Sequence, residues 1–335
     1  MGYHNIVIEG TGIYHPSNKV TNDYFINHFN NLDIEVDGLL NHLERNSRYL
    51  SNDPTETVIT MAYQSCLNAL KNSNTDINEI DMIIFATDTP EYTSPSNALK
   101  LMDLLKATNA KMVYDTNSNC IGMLSAIDQA SRILKTHRKY KKALIVGSLL
   151  ISSVVSHNDP VTYPNFGDAA AALILTKKLE SIERGFIDST HYTKTTEHNN
   201  ILMPKIGYSK VIRDNMVNEE DKKWFWDPFD ADFVSEYWTR LINEVTEDNN
   251  LTPNDIDYYF FSQFTNPGAK ETLNQLNVHI DKLVYVGDKY GYTGVTSPIL
   301  ALHTSLEQNK IKDGNYAIFC SVGSGSTTIS ILYKF

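Results

Sequence analysis

Short apolar runs, each too brief to be a helix and separated by helical patterns, constrain this chain more than any other feature. Asp81–Thr87, Lys111–Asp115, Ala143–Gly147 and Ala171–Leu175 are dominated by apolar residues and do not alternate. Strands of that kind are covered on both faces, which happens when a sheet lies between layers of helix. Between them Val58, Met61, Ala62, Leu67 and Leu70 recur three or four apart, the period of a helix with one apolar stripe. The second half repeats the theme with a strand at Tyr258–Phe261, a helical pattern from Thr293 to Leu306, and closing strands at Asn315–Val322 and Thr327–Leu332. The pattern predicts an α/β fold of two similar halves, residues 1–178 and 179–335. Only Gly185–Asp232 fits neither period, with Trp224, Trp226 and Pro228 set among charges, and it reads as an excursion over the surface or across a site entrance.

The chain has 335 residues, 41% of them hydrophobic, enough to bury a large core. Its net charge of −11 excludes nucleic acid as a partner, because phosphate binding needs a concentrated basic surface. One basic cluster stands out: Lys135, His137, Arg138, Lys139, Lys141 and Lys142. It is either a solvated helix end that complements the helix dipole or a docking face for an acidic carrier protein. No apolar run reaches membrane-spanning length, and the first residues lack the basic head and apolar stretch of an export signal, so a cytoplasmic protein with no membrane partner is expected. The three widely spaced cysteines, Cys66, Cys120 and Cys320, suit neither a disulfide framework nor a zinc site, and no metal is expected.

Cys120 differs from the other two by its setting. It follows the strand ending at Asp115 and precedes the helical pattern Ile121, Leu124, Ile127, Ile133 and Leu134. A thiol at the amino end of a helix meets unpaired N–H groups and the positive end of the dipole, which favour the thiolate. Gly122, Ser125 and Ala126 allow such a helix to pack deep in the fold. Position alone leaves two readings, a nucleophile or a small apolar core residue. Cys66, inside an amphipathic helix, and Cys320, inside a buried strand, read as core.

The stretch Asp115-Thr116-Asn117-Ser118-Asn119-Cys120-Ile121-Gly122 resembles the nucleophile motif of the β-ketoacyl-acyl carrier protein synthase III family, a branch of the thiolase superfamily. Asn165–Ala171, Asn266–Ala269 and Gly323–Thr327 match further family segments in the expected order, so the resemblance covers essentially the whole chain. It implies a thiolase-like five-layered αβαβα fold of two pseudo-symmetric halves, assembled as a homodimer. It also implies that Cys120 takes an acyl group from acyl-CoA or from the phosphopantetheine arm of an acyl carrier protein, with no permanently bound cofactor. By the same resemblance the N–H groups of Cys120 and Gly325 hold the thioester oxygen, a type of contact that lowers a barrier by about 3 kcal/mol per donor. Asn266 would touch the pantetheine arm. Ser94, at a partner-facing position that is bulky in short-chain enzymes, implies room for a longer or branched acyl group.

Two family positions are changed: the usual His is Gln263, and the usual Asn is Tyr292. An amide and a phenol still donate hydrogen bonds and can form an altered oxyanion site, but neither is a base near neutral pH, which puts ordinary decarboxylative condensation in question. Asp88 and Glu91, after the strand ending at Thr87, are either a replacement base, with a pKa raised by burial, or solvated loop carboxylates. His303 reads as a surface residue. No aromatic-plus-arginine clamp for the adenine of coenzyme A is evident near Gly38 and His42, which favours a carrier-protein arm as donor. The expected function is an acyltransferase that forms a thioester on Cys120 in fatty-acid or specialised-metabolite synthesis. The alternative is a catalytically reduced subunit that scaffolds a thiolase-like partner.

Overall fold

The computed structural model describes residues 2–335. Nine strands form one sheet: β1 (Tyr3–Tyr14), β2 (Met82–Ala86), β3 (Met112–Thr116), β4 (Lys142–Leu149), β5 (Ala169–Glu180), β6 (Gly185–Thr193), β7 (Tyr258–Phe261), β8 (Tyr316–Gly323) and β9 (Thr327–Lys334). Their order is β7-β8-β9-β6-β1-β5-β4-β2-β3. The two groups meet through a single pairing, Ile6 with Gly185, so the sheet is two sheets joined at one seam.

The topology repeats between the halves. In the first, β3, β2 and β4 run parallel, and β5 and β1 continue antiparallel. In the second, a bridge at Leu283 runs parallel to β7, β7 runs parallel to β8, and β9 and β6 continue antiparallel. Six helices pack on this frame: α1 (Val58–Ser73), α2 (Asn97–Leu105), α3 (Gly122–Thr136), α4 (Phe233–Glu247), α5 (Asn266–Gln275) and α6 (Ser297–Glu307). One apolar cluster joins α1 and α2 to the outer face of the first sheet. Another joins α4 and α5 to the second sheet. The largest puts α3 and α6 between the two sheets, which completes the five layers αβαβα. α3 can occupy that central layer because Gly122, Ser125, Ala126 and Ala130 keep it narrow and bury it on nearly every side.

Two strands and two residues differ from the sequence expectation. β1 escaped notice because His4, Asn5, Glu9 and Thr11 interrupt its apolar pattern, yet it pairs along its whole length with β5. Burial raises the Glu9 pKa, but hydrogen bonds from Thr176, Lys142 and Lys178 outweigh it and hold the carboxyl down at about 2. β6 occupies Gly185–Thr193, so the true excursion starts only after it and carries a short ribbon, Ile201–Leu202 against Phe225–Trp226. His303 is buried, its Nδ1 2.8 Å from Thr11 Oγ1. Leu67, placed on the apolar stripe of α1, is 40% exposed. No helix among the described residues is long and apolar enough to cross a membrane.

Candidate active site

Cys120 stands on the turn between β3 and α3. Asn119 immediately before it has φ +52°, a left-handed conformation that asparagine tolerates better than most residues. Gly122 N–H closes this turn on the Asn119 carbonyl, and Asn119 Nδ2 reaches across to the Ser324 carbonyl at 3.2 Å. Ser321 Oγ donates to the Cys120 carbonyl at 3.0 Å. These bonds tie the cysteine turn to the glycine-rich turn after β8. A Cβ at Gly323 would sit 3.2 Å from Asn119 Cβ and from the Ser118 carbonyl oxygen, so a larger residue there would press the two turns apart by a few tenths of an ångström. Gly325, with φ +75°, crosses the left-handed region at the tip of the same turn. Asp115 of the cysteine motif faces away from the thiol. It accepts from Asn97 N, Asn97 Nδ2 and Ala98 N, each at 2.7 Å, and so caps α2.

The second half supplies the opposite wall. Tyr292 is the counterpart of Cys120 in the repeat, just before α6 as Cys120 is just before α3. Its N–H donates to the Asn165 carbonyl at 2.8 Å, and its own carbonyl accepts from Gly167 N–H at 3.0 Å. A Cβ on Gly167 would lie 2.2 Å from the Tyr290 carbonyl oxygen, which explains the glycine in that motif. Cys120, Tyr292 and the Gly323–Ser326 turn line one cavity, whose remaining wall is mostly aromatic: Phe166, Trp224, Trp226, Phe229, Phe233 and Phe264. Trp226 stacks on Phe229 with ring centres 5.6 Å apart. Glu197 also faces this cavity and accepts from Ser326 Oγ at 2.5 Å.

The thiol opens to the cavity but protein surrounds it elsewhere. Burial and the nearby Asp88 carboxylate push its pKa well above the ordinary thiol range, although the Tyr292 hydroxyl acts in the opposite direction. Burial thus opposes the helix end, which favours the thiolate. Asp88 is 8% exposed, neither of its oxygens has a hydrogen-bond partner, and burial raises its pKa to about 6. Its charge also raises the Tyr292 phenol, after burial and the neighbouring Cys120. The carboxylate is near enough to act on the thiol's charge yet shares no hydrogen bond with it, so it is a candidate base that must close on the sulfur during attack.

The chain matches the family model of 3-oxoacyl-[acyl-carrier-protein (ACP)] synthase III over residues 114–195 and the model of that enzyme's C-terminal part over residues 246–335, together just over half its length. The β-ketoacyl-[acyl-carrier-protein] synthase III of Wolbachia pipientis subsp. Culex pipiens is 29% identical over 283 residues, 84% of this chain and 86% of the relative. That of Wolbachia sp. subsp. Brugia malayi is 28% identical over 98% of both chains. The chain belongs to the synthase III family. The crystal structure of the Aquifex aeolicus 3-oxoacyl-[acyl-carrier-protein] synthase III has the same fold, with a TM-score of 0.86, 24% identity, and 99% of this chain and 100% of that one covered.

Within this synthase III, the residues singled out from sequence divide into two groups. Cys120, Gly325 and Tyr292 line one cavity, while Asp88 is buried outside that lining, within electrostatic reach of the thiol. Gln263 does not join them. Its Nε2 donates to the Phe261 carbonyl at 2.9 Å, and its Oε1 accepts from Val286 N and Gly287 N at 2.8 and 3.0 Å, so main-chain groups occupy the whole amide. Its part in an oxyanion site is therefore corrected to that of a brace between β7 and the following loop. Glu91 and Ser94 are exposed on the outer side of the loop after β2, where Glu91 borders a separate groove with Tyr92, and neither lines the Cys120 cavity within one chain. Asn266 is buried, donates to Glu44 at 2.8 Å, and keeps an unpartnered Oδ1.

The basic cluster sits at the opposite end of α3 from Cys120, about 22 Å away by helix rise, and Lys142 is paired with Glu9 and Glu79. Carrier docking there would not reach the thiol. Three of the wall's six aromatics, Trp224, Trp226 and Phe229, come from the aperiodic segment after β6, which the sequence placed at a site entrance without showing its aromatic lining. Its only signal was the density of Trp and Phe between Trp224 and Phe233.

Proposed function

We propose that this synthase III works as an acyltransferase that carries its acyl group on Cys120, with Asp88 as the base. The observation that carries the reading is a thiol at the head of the central helix opening on an aromatic cavity, within electrostatic reach of a buried, unpaired carboxylate. An acyl thioester on coenzyme A or on a carrier-protein arm enters the cavity. As Cys120 Sγ forms its bond to the thioester carbon, Asp88 takes the thiol proton and returns it to the leaving pantetheine sulfur. The N–H groups of Cys120 and Gly325 receive the oxyanion, a role supported by their place on two turns that Asn119 and Ser324 lock together.

Decarboxylation of a malonyl partner is not part of this reading. The usual His is replaced by Gln263, whose amide has no free donor, and the usual Asn by a buried phenol. The aromatic walls suit a bulky or long acyl group, and Ser94 leaves its loop slim. Half-exposed Tyr92, Leu99 and Leu104 beside the edge strand β3 support a homodimer built on that face. The test is intact-protein mass after incubation with mixed acyl thioesters. One acyl mass is expected on the native chain and none on Cys120→Ala; equal labelling of both would overturn the reading.

A further inference from the structure

Gly325 is the middle residue of the hairpin turn that joins β8, ending at Gly323, to β9, starting at Thr327. Gly325 and Ser326 both lie in the left-handed region, at φ +75° and +59°. A glycine adopts that conformation freely, but in Ser326 it is costly, because the Cβ crowds the following carbonyl oxygen. Ser326 is buried as well, so protein groups must hold it there. They come from one short segment that turns over the hairpin after β6. Lys194 N–H donates to the Ser326 carbonyl at 3.0 Å, and Ser326 Oγ donates to Glu197 Oε2 at 2.5 Å, a length typical of a charge-assisted bond. His198 lies against Gly325, with its Cα 3.6 Å from where a Cβ would stand. The segment is itself braced: His198 Nδ1 is 2.7 Å from the Thr195 carbonyl oxygen, and Asn200 N–H donates to the Glu197 carbonyl at 3.1 Å. Among the described residues Glu197 forms no salt bridge, and the Ser326 hydroxyl is the only hydrogen-bond partner of its carboxylate.

On the other side of Gly325, Asn119 Nδ2 donates to the Ser324 carbonyl at 3.2 Å. That carbonyl and the Gly325 N–H belong to one planar peptide unit, so a bond that holds the first also orients the second. A plane held at one end can still swing about the bonds of a glycine, which has no Cβ to stop it. Ser326, clamped by Glu197 and by Lys194 N–H, restrains that swing from the other end. Among the described residues the Gly325 N–H meets no main-chain acceptor, which leaves it for a substrate oxygen. Resting on the acyltransferase reading above, we propose that Glu197 is a positioning residue for the reaction at Cys120: through Ser326 it holds the Gly325 N–H in the aim that receives the thioester oxyanion. A residue in that role acts on the transition state, where the oxyanion forms, and leaves binding of the acyl chain alone. A carboxylate that merely shaped the cavity wall would do the reverse.

Acylation of the full chain by butanoyl- and octanoyl-N-acetylcysteamine is followed by rapid quenching and intact-protein mass, which yields a saturating rate and a half-saturating thioester concentration for each. A native chain that gains no acyl mass refutes the acyltransferase reading itself. Given a native chain that loads, Glu197→Ala should lower the saturating rate at least about tenfold, part of the roughly hundredfold or greater loss that follows removal of a whole oxyanion donor. The factor should be the same for both acyl lengths, with the half-saturating concentration changed by less than about twofold. Glu197→Gln, whose amide oxygen still accepts from Ser326 Oγ, should keep at least about one third of the native rate. Ser326→Ala removes the same bond from its other end, so its loss should match that of Glu197→Ala, and the double variant should be slower than either single one by no more than about twofold. A native rate in Glu197→Ala, a defect confined to the octanoyl thioester, or a raised half-saturating concentration in place of the rate loss would overturn the inference while leaving the acyl-enzyme standing. Losses that multiply in the double variant would do the same.

Discussion

Asp88→Asn should make the protein more stable and a worse enzyme. Burial raises the Asp88 carboxyl from 3.8 to about 6, and no neighbour compensates its charge. Between those pH values the folded chain keeps a proton that the unfolded chain has released, so this group lowers stability as pH rises through the window. The full effect, present above about pH 6, amounts to about 3 kcal/mol, and at pH 4 it shrinks to about 0.5 kcal/mol. An amide of the same shape carries no charge, so the variant should gain up to that amount at pH 8, a rise in Tm of about 4 °C for a chain of this size. Acylation of Cys120 should fall by about a hundredfold with loss of the base. In the native protein the acylation rate should rise as pH passes about 6 and level off above it. The assay pairs thermal unfolding at pH 8 and pH 4 with acyl-enzyme mass against time. A variant that unfolds more easily at pH 8, or acylates as fast as the native chain, would refute the assignment.

Asp168 makes the contrast, because burial raises its pKa to about 6 too while Ser51 N, Ser152 N and Ser152 Oγ all donate to it. Asp168→Asn removes acceptors from those donors and should destabilise by about 1–3 kcal/mol in urea unfolding. Gly325→Ala makes only an ordinary contact with His198 but sits at a φ of +75°, so it should lose about 1 kcal/mol of stability and, by shifting the turn, slow acylation in single-turnover mass measurements. Glu9 is held at about 2, so its contribution is present above its ordinary value of 4.5 and lost as pH falls toward 2. Glu9→Gln should therefore lower Tm at pH 7 and match the native protein at pH 2.

The alternation of apolar runs and helical stripes was enough to place β2, β4, β5, β7 and α3 and to put Cys120 at a helix start, because local periodicity reports which faces are buried. β1 and β6 were not legible. Polar residues break their patterns, and only distant partners, such as Lys142 and Lys178 for Glu9, make those residues tolerable in a sheet. The aims of the site side chains were hidden for the same reason. Gln263 and Tyr292 stood as equals in the sequence, yet main-chain groups from residues 261–287 claim the whole Gln263 amide while Tyr292 faces the thiol. Asp88 and Glu91, three residues apart, end in opposite environments, one buried beside Cys120 and one in solvent. The sequence by itself thus determined the layered α/β halves and the nucleophile at the head of the central helix. Only the tertiary structure decided which carboxylate is buried near that sulfur and how aromatic its cavity is, because these depend on contacts between segments far apart in the chain.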